Sequence, residues 1–152
     1  MSDHKATIHW QHPGPDFVRG KYSREHTWTF DGGITVAASS SPSVVPIPFS
    51  NPANVDPEEA LVAAISSCHM LSFLYVAAKA GFAVESYDDE AVGVMAKNDL
   101  GVPWVSAVTL RPRVAYGGEK RPAPAEVDHL HHLAHEQCFI ANSVRTEIRV
   151  AS

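Results

Sequence analysis

The 152-residue chain has a formal net charge of −5, with 45% apolar and 19% charged residues. That balance belongs to a globular protein rather than a disordered or fibrous one, and a domain of this length buries roughly 70% of the surface its unfolded chain exposes. One domain over residues 1–152 is therefore expected, and the negative charge excludes a broad phosphate-binding surface, because nucleic-acid affinity rests on Lys and Arg.

The start, MSDHKATIHW, lacks the charged-then-apolar pattern of a secretion signal. The longest apolar stretch, around residues 60–78, is interrupted by Ser66, Ser67, Cys68, His69 and Ser72, which argues against a membrane partner and for a cytoplasmic protein. In a reducing compartment a permanent bridge between Cys68 and Cys138, seventy residues apart, is disfavoured. The two thiols are either inert or reactive.

In chain order, ATIHW predicts a short strand, and REHTWTFDGGITVAAS predicts a hairpin turning at Asp31-Gly32-Gly33. Residues 40–57 hold five prolines, so neither a helix nor a central strand runs through them. A long connection of this kind in a small domain is often functional. VDPEEALVAAISSCHMLSFLYVAAKAG then predicts a helix capped by Asp56, with Pro57 at its first position, Glu59 in a capping box and Gly81 at its end. It is apolar on nearly every side, the mark of a helix enclosed by other elements. Strands follow in FAVESY, AVGVMAK and VSAVTLRPRVAY, with a turn near residues 98–101. A second helix starts after Pro124, and SVRTEIRV closes the chain as a strand. Two β segments, each followed by a helix, give an α+β arrangement.

Cysteine is often a small buried residue, and a lone helical Cys among alanines is usually that. Here, however, Ser66, Ser67, Cys68 and His69 put four polar or reactive groups in succession on a helix built for burial, and buried polar groups need partners. A polar pocket against this turn is one explanation. Cys138 falls on a helical stripe with Val127, Leu130 and Ala134. A metal reading would use His131, His135 and Cys138, one ridge at spacings of four and three, although a solvated His-rich face explains them as well. A redox reading asks for a thiolate, a cation that favours it and a second thiol within reach. The aromatic residues Trp28, Phe30, Phe49, Phe73, Tyr75 and Phe139, with Met70, are available for an apolar substrate wall or for the core. His69 reads best as a satisfied core histidine.

The segment VDPEEALVAAISSCHMLSFL, with a second Cys in AHEQCFIANSV, resembles the OsmC/Ohr family of osmotically inducible and organic-hydroperoxide-resistance proteins. The likeness runs in order through the DGG hairpin, the proline-rich connection, the acid-capped helix with the first Cys and the helix with the second. It implies an OsmC-like fold in an intertwined homodimer, and a thiol-dependent peroxidase reducing organic hydroperoxides without a resident cofactor or metal. It implies further that Cys68 is the peroxidatic thiol, Cys138 the resolving thiol, Glu58 the glutamate at the helix start, and Arg24 the active-site arginine paired with Glu58, with Arg19 the weaker candidate. A dithiol reductant, in one branch of the family a dihydrolipoyl protein, would reopen the disulfide. Many relatives follow the second Cys with Pro, where this chain has Phe139. Some members have no assigned activity, so a non-catalytic relative binding a small apolar ligand or a metal is the alternative. Ten residues of helix rise about 15 Å, so Glu58 and Cys68 cannot touch through their own side chains.

Overall fold

The alternation in residues 24–30 becomes strand β2 (His26–Phe30) in a computed structural model that describes residues 1–11 and 14–151. The chain divides into two units, Met1–Ala60 and Leu61–Ser152.

In the first unit β2 is the middle strand of an antiparallel meander, flanked by β1 (Ala6–His9) and β3 (Thr35–Ala38). The β2–β3 turn closes with Phe30 N–H on the Ile34 carbonyl at 2.9 Å, and Gly33, at φ +95°, takes the left-handed position that costs a side chain most. The strand expected in ATIHW and the DGG hairpin are thus both present. The proline-rich connection is tied back by a bridge between Ala38 and Val55, by Asn51 N–H on Ser39 Oγ (2.9 Å) and by Asn51 Nδ2 on Glu25 (2.7 Å).

Helix α1 (Pro57–Lys79) starts at the anticipated box, with Asp56 N–H on Glu59 and Glu59 N–H on Asp56, both at 2.8 Å. It ends where Phe82 N–H bonds the Ala77 carbonyl and Gly81 N–H that of Ala78, with Gly81 at φ +85°, a Schellman closure. By length and hydropathy α1 could cross a membrane, but Ile65, His69, Phe73, Val76 and Ala77 are buried within the protein. The other side carries Leu71 and Tyr75, which are 60% and 56% exposed. The expectation of a helix enclosed all round therefore fails for a single chain, which leaves this face open.

Within the second unit, β4 (Ala83–Asp89) pairs antiparallel with β7 (Pro112–Gly117). The second sheet runs in the order β5 (Val92–Lys97), β6 (Pro103–Leu110), β8 (Glu147–Val150), with β6 and β8 parallel. The run VSAVTLRPRVAY is not one strand. It divides at Arg111 between the two sheets, where Pro112, lacking an N–H, begins β7. Helix α2 (Pro124–Gln137) has Pro124 at its first position, and Glu126 reaches back to Ala123 N–H (3.1 Å).

Two apolar clusters flank residues 66–69 of α1. Toward its C-terminal half, Phe73, Val76 and Ala77 pack with Phe82, Leu130 and Ala134. Toward its N-terminal half, Ile65 packs with Val108 and Leu110. Gly93 lets β5 approach here, since a Cβ at that position would lie 2.5 Å from Val62 Cγ2.

Candidate active site

The four polar residues of SSCH do not share one pocket, because successive helical positions turn by about 100°. Ser66 Oγ donates to Asp89 Oδ2 at 2.5 Å, and Asp89 also accepts the Arg111 N–H at 2.6 Å. Ser67 is exposed and Cys68 half-buried. His69 is 1% exposed, with Nε2 3.0 Å from His131 Nδ1; the two rings stack at an interplanar angle of 8°. Burial, followed by the neighbouring His131 and His135, lowers the His69 pKa to about 4. Burial likewise lowers that of His131. The His69 Nδ1 is buried without a partner, and the expectation of a fully satisfied core histidine is met only at Nε2.

Cys68 and Cys138 come together, both as free thiols. Burial pushes the Cys138 thiol up, and the adjoining Cys68 thiol adds to this. Cys138 is not on α2. It is the residue after the last helical one, with extended backbone, because its N–H bonds the His135 carbonyl at 3.4 Å and the chain then folds into a 3-10 turn at Ala141–Ser143. The Cys138 side chain is fully buried and accepts the Ala141 N–H at 3.4 Å on Sγ.

Cys68 faces an open cavity of about 520 Å³ lined also by Leu71, Ser72, Tyr75, Gln137 and Phe139. Of the aromatic residues considered for an apolar wall, Tyr75 and Phe139 are in it, whereas Phe73 belongs to the core, stacked 4.3 Å from His131. Leu71, Ser72 and Gln137 were not anticipated. Their signal is in the spacing: 68, 71, 72 and 75 are positions i, i+3, i+4 and i+7 of one helical face, and 137 and 139 flank the second cysteine.

Arg24 and Glu58 belong to the first unit. Arg24 Nη1 donates to the carbonyls of Tyr22 (2.6 Å) and Gly20 (3.1 Å), and its guanidinium lies 3.6 Å from the centre of the Tyr22 ring. It borders an open cavity of about 400 Å³ with Ile8, Trp10, Phe17 and Tyr22. The expected Arg24–Glu58 ion pair does not form, since this guanidinium is held by the carbonyls of its own loop. Glu58 Oε2 is buried and unbonded, and burial raises the carboxyl pKa, with Asp56 and Glu59 adding to the rise. Arg19 lies in the open, 3.7 Å from Asp16.

The ridge of His131, His135 and Cys138 does not converge. His131 turns to His69, and among the described residues no three His, Cys, Asp or Glu side chains could hold a metal ion.

Two reduced thiols, one facing an apolar cavity and one buried behind it, mark an α+β dithiol protein. The family model for OsmC-like protein matches residues 50–152, and the chain belongs to the OsmC-like family. An OsmC-like protein of unknown function from Vibrio cholerae is 53% identical, with a TM-score of 0.95 over 99% of both chains. An organic hydroperoxide resistance protein from Elizabethkingia anophelis, crystallised with thiocyanate, shares 18% identity and a TM-score of 0.72 over 99% of this chain and 93% of its own. The organic hydroperoxide resistance protein of Bacillus subtilis shares 16% and 0.68 over 98% and 96%. These two likenesses establish a shared OsmC-like α+β fold. Among curated proteins none is significantly similar.

Proposed function

We propose that the protein is a cysteine-based peroxidase that reduces organic hydroperoxides, with Cys68 as the attacking thiol and Cys138 as the resolving one. The Cys68 thiolate takes the distal oxygen of ROOH, giving Cys68–SOH and releasing ROH as a proton reaches the alkoxide. The Cys138 thiol then displaces that oxygen as water, forming the Cys68–Cys138 disulfide. A dithiol reductant takes the bond back to two thiols and is itself oxidised to a disulfide.

The observation that carries this reading is the order of the two sulfurs: Cys68 lines the cavity, and Cys138, fully buried, adjoins it from behind. A substrate entering from solvent meets only the first, which suits a two-step mechanism. The apolar lining by Leu71, Tyr75 and Phe139 favours an alkyl or lipid hydroperoxide over hydrogen peroxide. These side chains are 60%, 56% and 82% exposed, and an apolar patch of that kind is suited to an interface. In this reading a second copy of the chain covers it, making a homodimer. By resemblance to the family, Arg24 and Glu58 take the roles of cation and carboxylate in this chemistry. Among the described residues the Arg24 guanidinium meets two carbonyls and the Tyr22 ring but no carboxylate, so it has positive charge to offer, and the unbonded oxygen of Glu58 leaves room for a donor. The family and the names of the two hydroperoxide-resistance relatives support the same reading.

The test is mass spectrometry after one equivalent of cumene hydroperoxide. Loss of two hydrogens through a Cys68–Cys138 bond is expected, with sulfenic acid accumulating on Cys68 in Cys138→Ser and no thiol oxidation in Cys68→Ser. An unchanged mass in the native protein would leave the cavity as a binding site for a small apolar ligand.

A further inference from the structure

The turn that follows α2 carries Cys138, and its shape decides where that sulfur points. An α-helix leaves its last carbonyls without partners. Here Asn142 takes two of them at once: its Nδ2 donates to Glu136 O (3.0 Å) and to Cys138 O (2.9 Å), and its backbone N–H adds a third bond, to Cys138 O at 3.1 Å. The carbonyl of the resolving cysteine is thus gripped twice by one residue. The same turn brings the Ala141 N–H onto Cys138 Sγ. Phe139, between them, is 82% exposed, so its side chain does little to fix the turn.

We propose that Asn142 is the positioning residue of the disulfide-forming step, holding the turn in the form that aims Cys138 at Cys68 and keeps a backbone N–H on its sulfur. The inference rests on the two-thiol reading above and deepens it. Closure requires the Cys138 sulfur to approach in line with the S–O bond of Cys68–SOH as a thiolate, its proton leaving with the displaced oxygen as water. Disulfide geometry is narrow, and displacement of a reacting group by about 1 Å can cost on the order of a hundredfold in rate. An N–H on the sulfur favours the thiolate form. Aspartate has the shape of asparagine but no N–H to give, and would set an oxygen against two carbonyl oxygens.

The experiment is rapid-quench mass spectrometry on the full-length protein with one equivalent of cumene hydroperoxide and dimedone as trap. Asn142→Ala is expected to lose the Cys68 thiol at the native rate, to close the disulfide at least about tenfold more slowly, and to carry proportionately more dimedone on Cys68. Asn142→Asp is expected to be at least as slow. Ser143→Ala removes a bond of the same turn, Ser143 Oγ to Phe139 O at 2.7 Å, without touching Cys138, and is expected to close at the native rate. Closure at the native rate in both Asn142 variants, or equal slowing in Ser143→Ala, would overturn the proposal. Diamide, which carries off the two hydrogens of a dithiol with no peroxide step, reads closure independently. Native protein that closes with diamide but not with peroxide refutes the peroxidase reading, and the Asn142 comparison then decides the positioning role by itself.

Discussion

Cys68 and His69 are neighbours on one helix, and each meets a residue from α2 or its end, yet their circumstances are opposite. Cys68 is half-buried at an open apolar cavity and touches a second thiol. His69 is sealed in the interior against a second imidazole. One step along α1 rotates the side chain by about 100°, and that rotation separates a group accessible to a reagent from one that holds two helices together. Chemical capacity alone does not distinguish them, since imidazole and thiol both titrate and both ligate metals. Access does. The sharpest way to break the comparison is to exchange the expected consequences: chemistry should fail at 68 with the fold intact, and the fold should weaken at 69 with the chemistry intact.

His69→Ala is expected to have the largest effect on stability. It removes a fully buried ring, leaves His131 Nδ1 without its partner and opens a cavity beside Phe73. Large-to-small core changes and orphaned buried donors together cost about 3 kcal/mol. Urea denaturation should show this loss as a lower midpoint with an unchanged slope. Below the transition, disulfide closure should still occur. A stable His69→Ala protein that no longer closes the Cys68–Cys138 bond would erase the distinction.

Part of this contrast was legible in the sequence and part was not. The capping box at Asp56 and Glu59, the stop at Gly81 and the DGG hairpin depend on neighbours in the chain, and such local chemistry can be read directly. The two cysteines were identifiable as a pair, but only through resemblance, because their meeting depends on the packing of α1 against the end of α2. The splitting of SSCH among Asp89, Cys138 and His131 was not legible. Each partner comes from a different distant element, and a run of polar letters suggests one shared pocket until those elements are in place. The Asn142 grip was hidden for the same reason: an asparagine four residues past a cysteine has no signature until the helix is known to end at Gln137. Residues 71, 72 and 75 are the opposite case: the helical period that predicted α1 also puts them on the face of Cys68, a signal present in the sequence that went unread for Leu71 and Ser72.

Acidification sharpens the same comparison without mutation. Above pH 6.5 His69 is neutral in both the folded and unfolded chain, so its full contribution is present. Its folded pKa is about 4, lowered by burial first, so between pH 6.5 and 4 the unfolded chain binds a proton that the folded one refuses. Stability then falls by up to about 1.4 kcal/mol per pH unit, which integrates to about 2 kcal/mol at pH 5. His131 shifts in the same direction and adds to the slope. Asp89 opposes both shifts, and Asp128 opposes that of His131, but burial outweighs them. Urea midpoints measured from pH 7 to 5 should fall for the native protein and less steeply for His69→Gln, which keeps an amide for His131 but nothing to titrate. Equal slopes in the two would detach the pH response from this ring.

The smallest expected effects come from the two serines that precede the pair, and they test whether partner and access, rather than polarity, set the consequence. Ser66 gives its hydroxyl to Asp89, which also takes the Arg111 N–H. Ser66→Ala therefore removes one charge-assisted bond but leaves Asp89 partly satisfied, for a loss of about 1.5 kcal/mol. Ser67 is exposed, and alanine is the better helix former there, so Ser67→Ala should change stability by no more than about 0.5 kcal/mol, in the stabilising direction if at all. Thermal or urea denaturation of the two variants side by side measures the difference. Equal losses at 66 and 67 would mean that the run of polar residues acts as a unit after all, and the division of α1 into separately partnered positions would have to be abandoned.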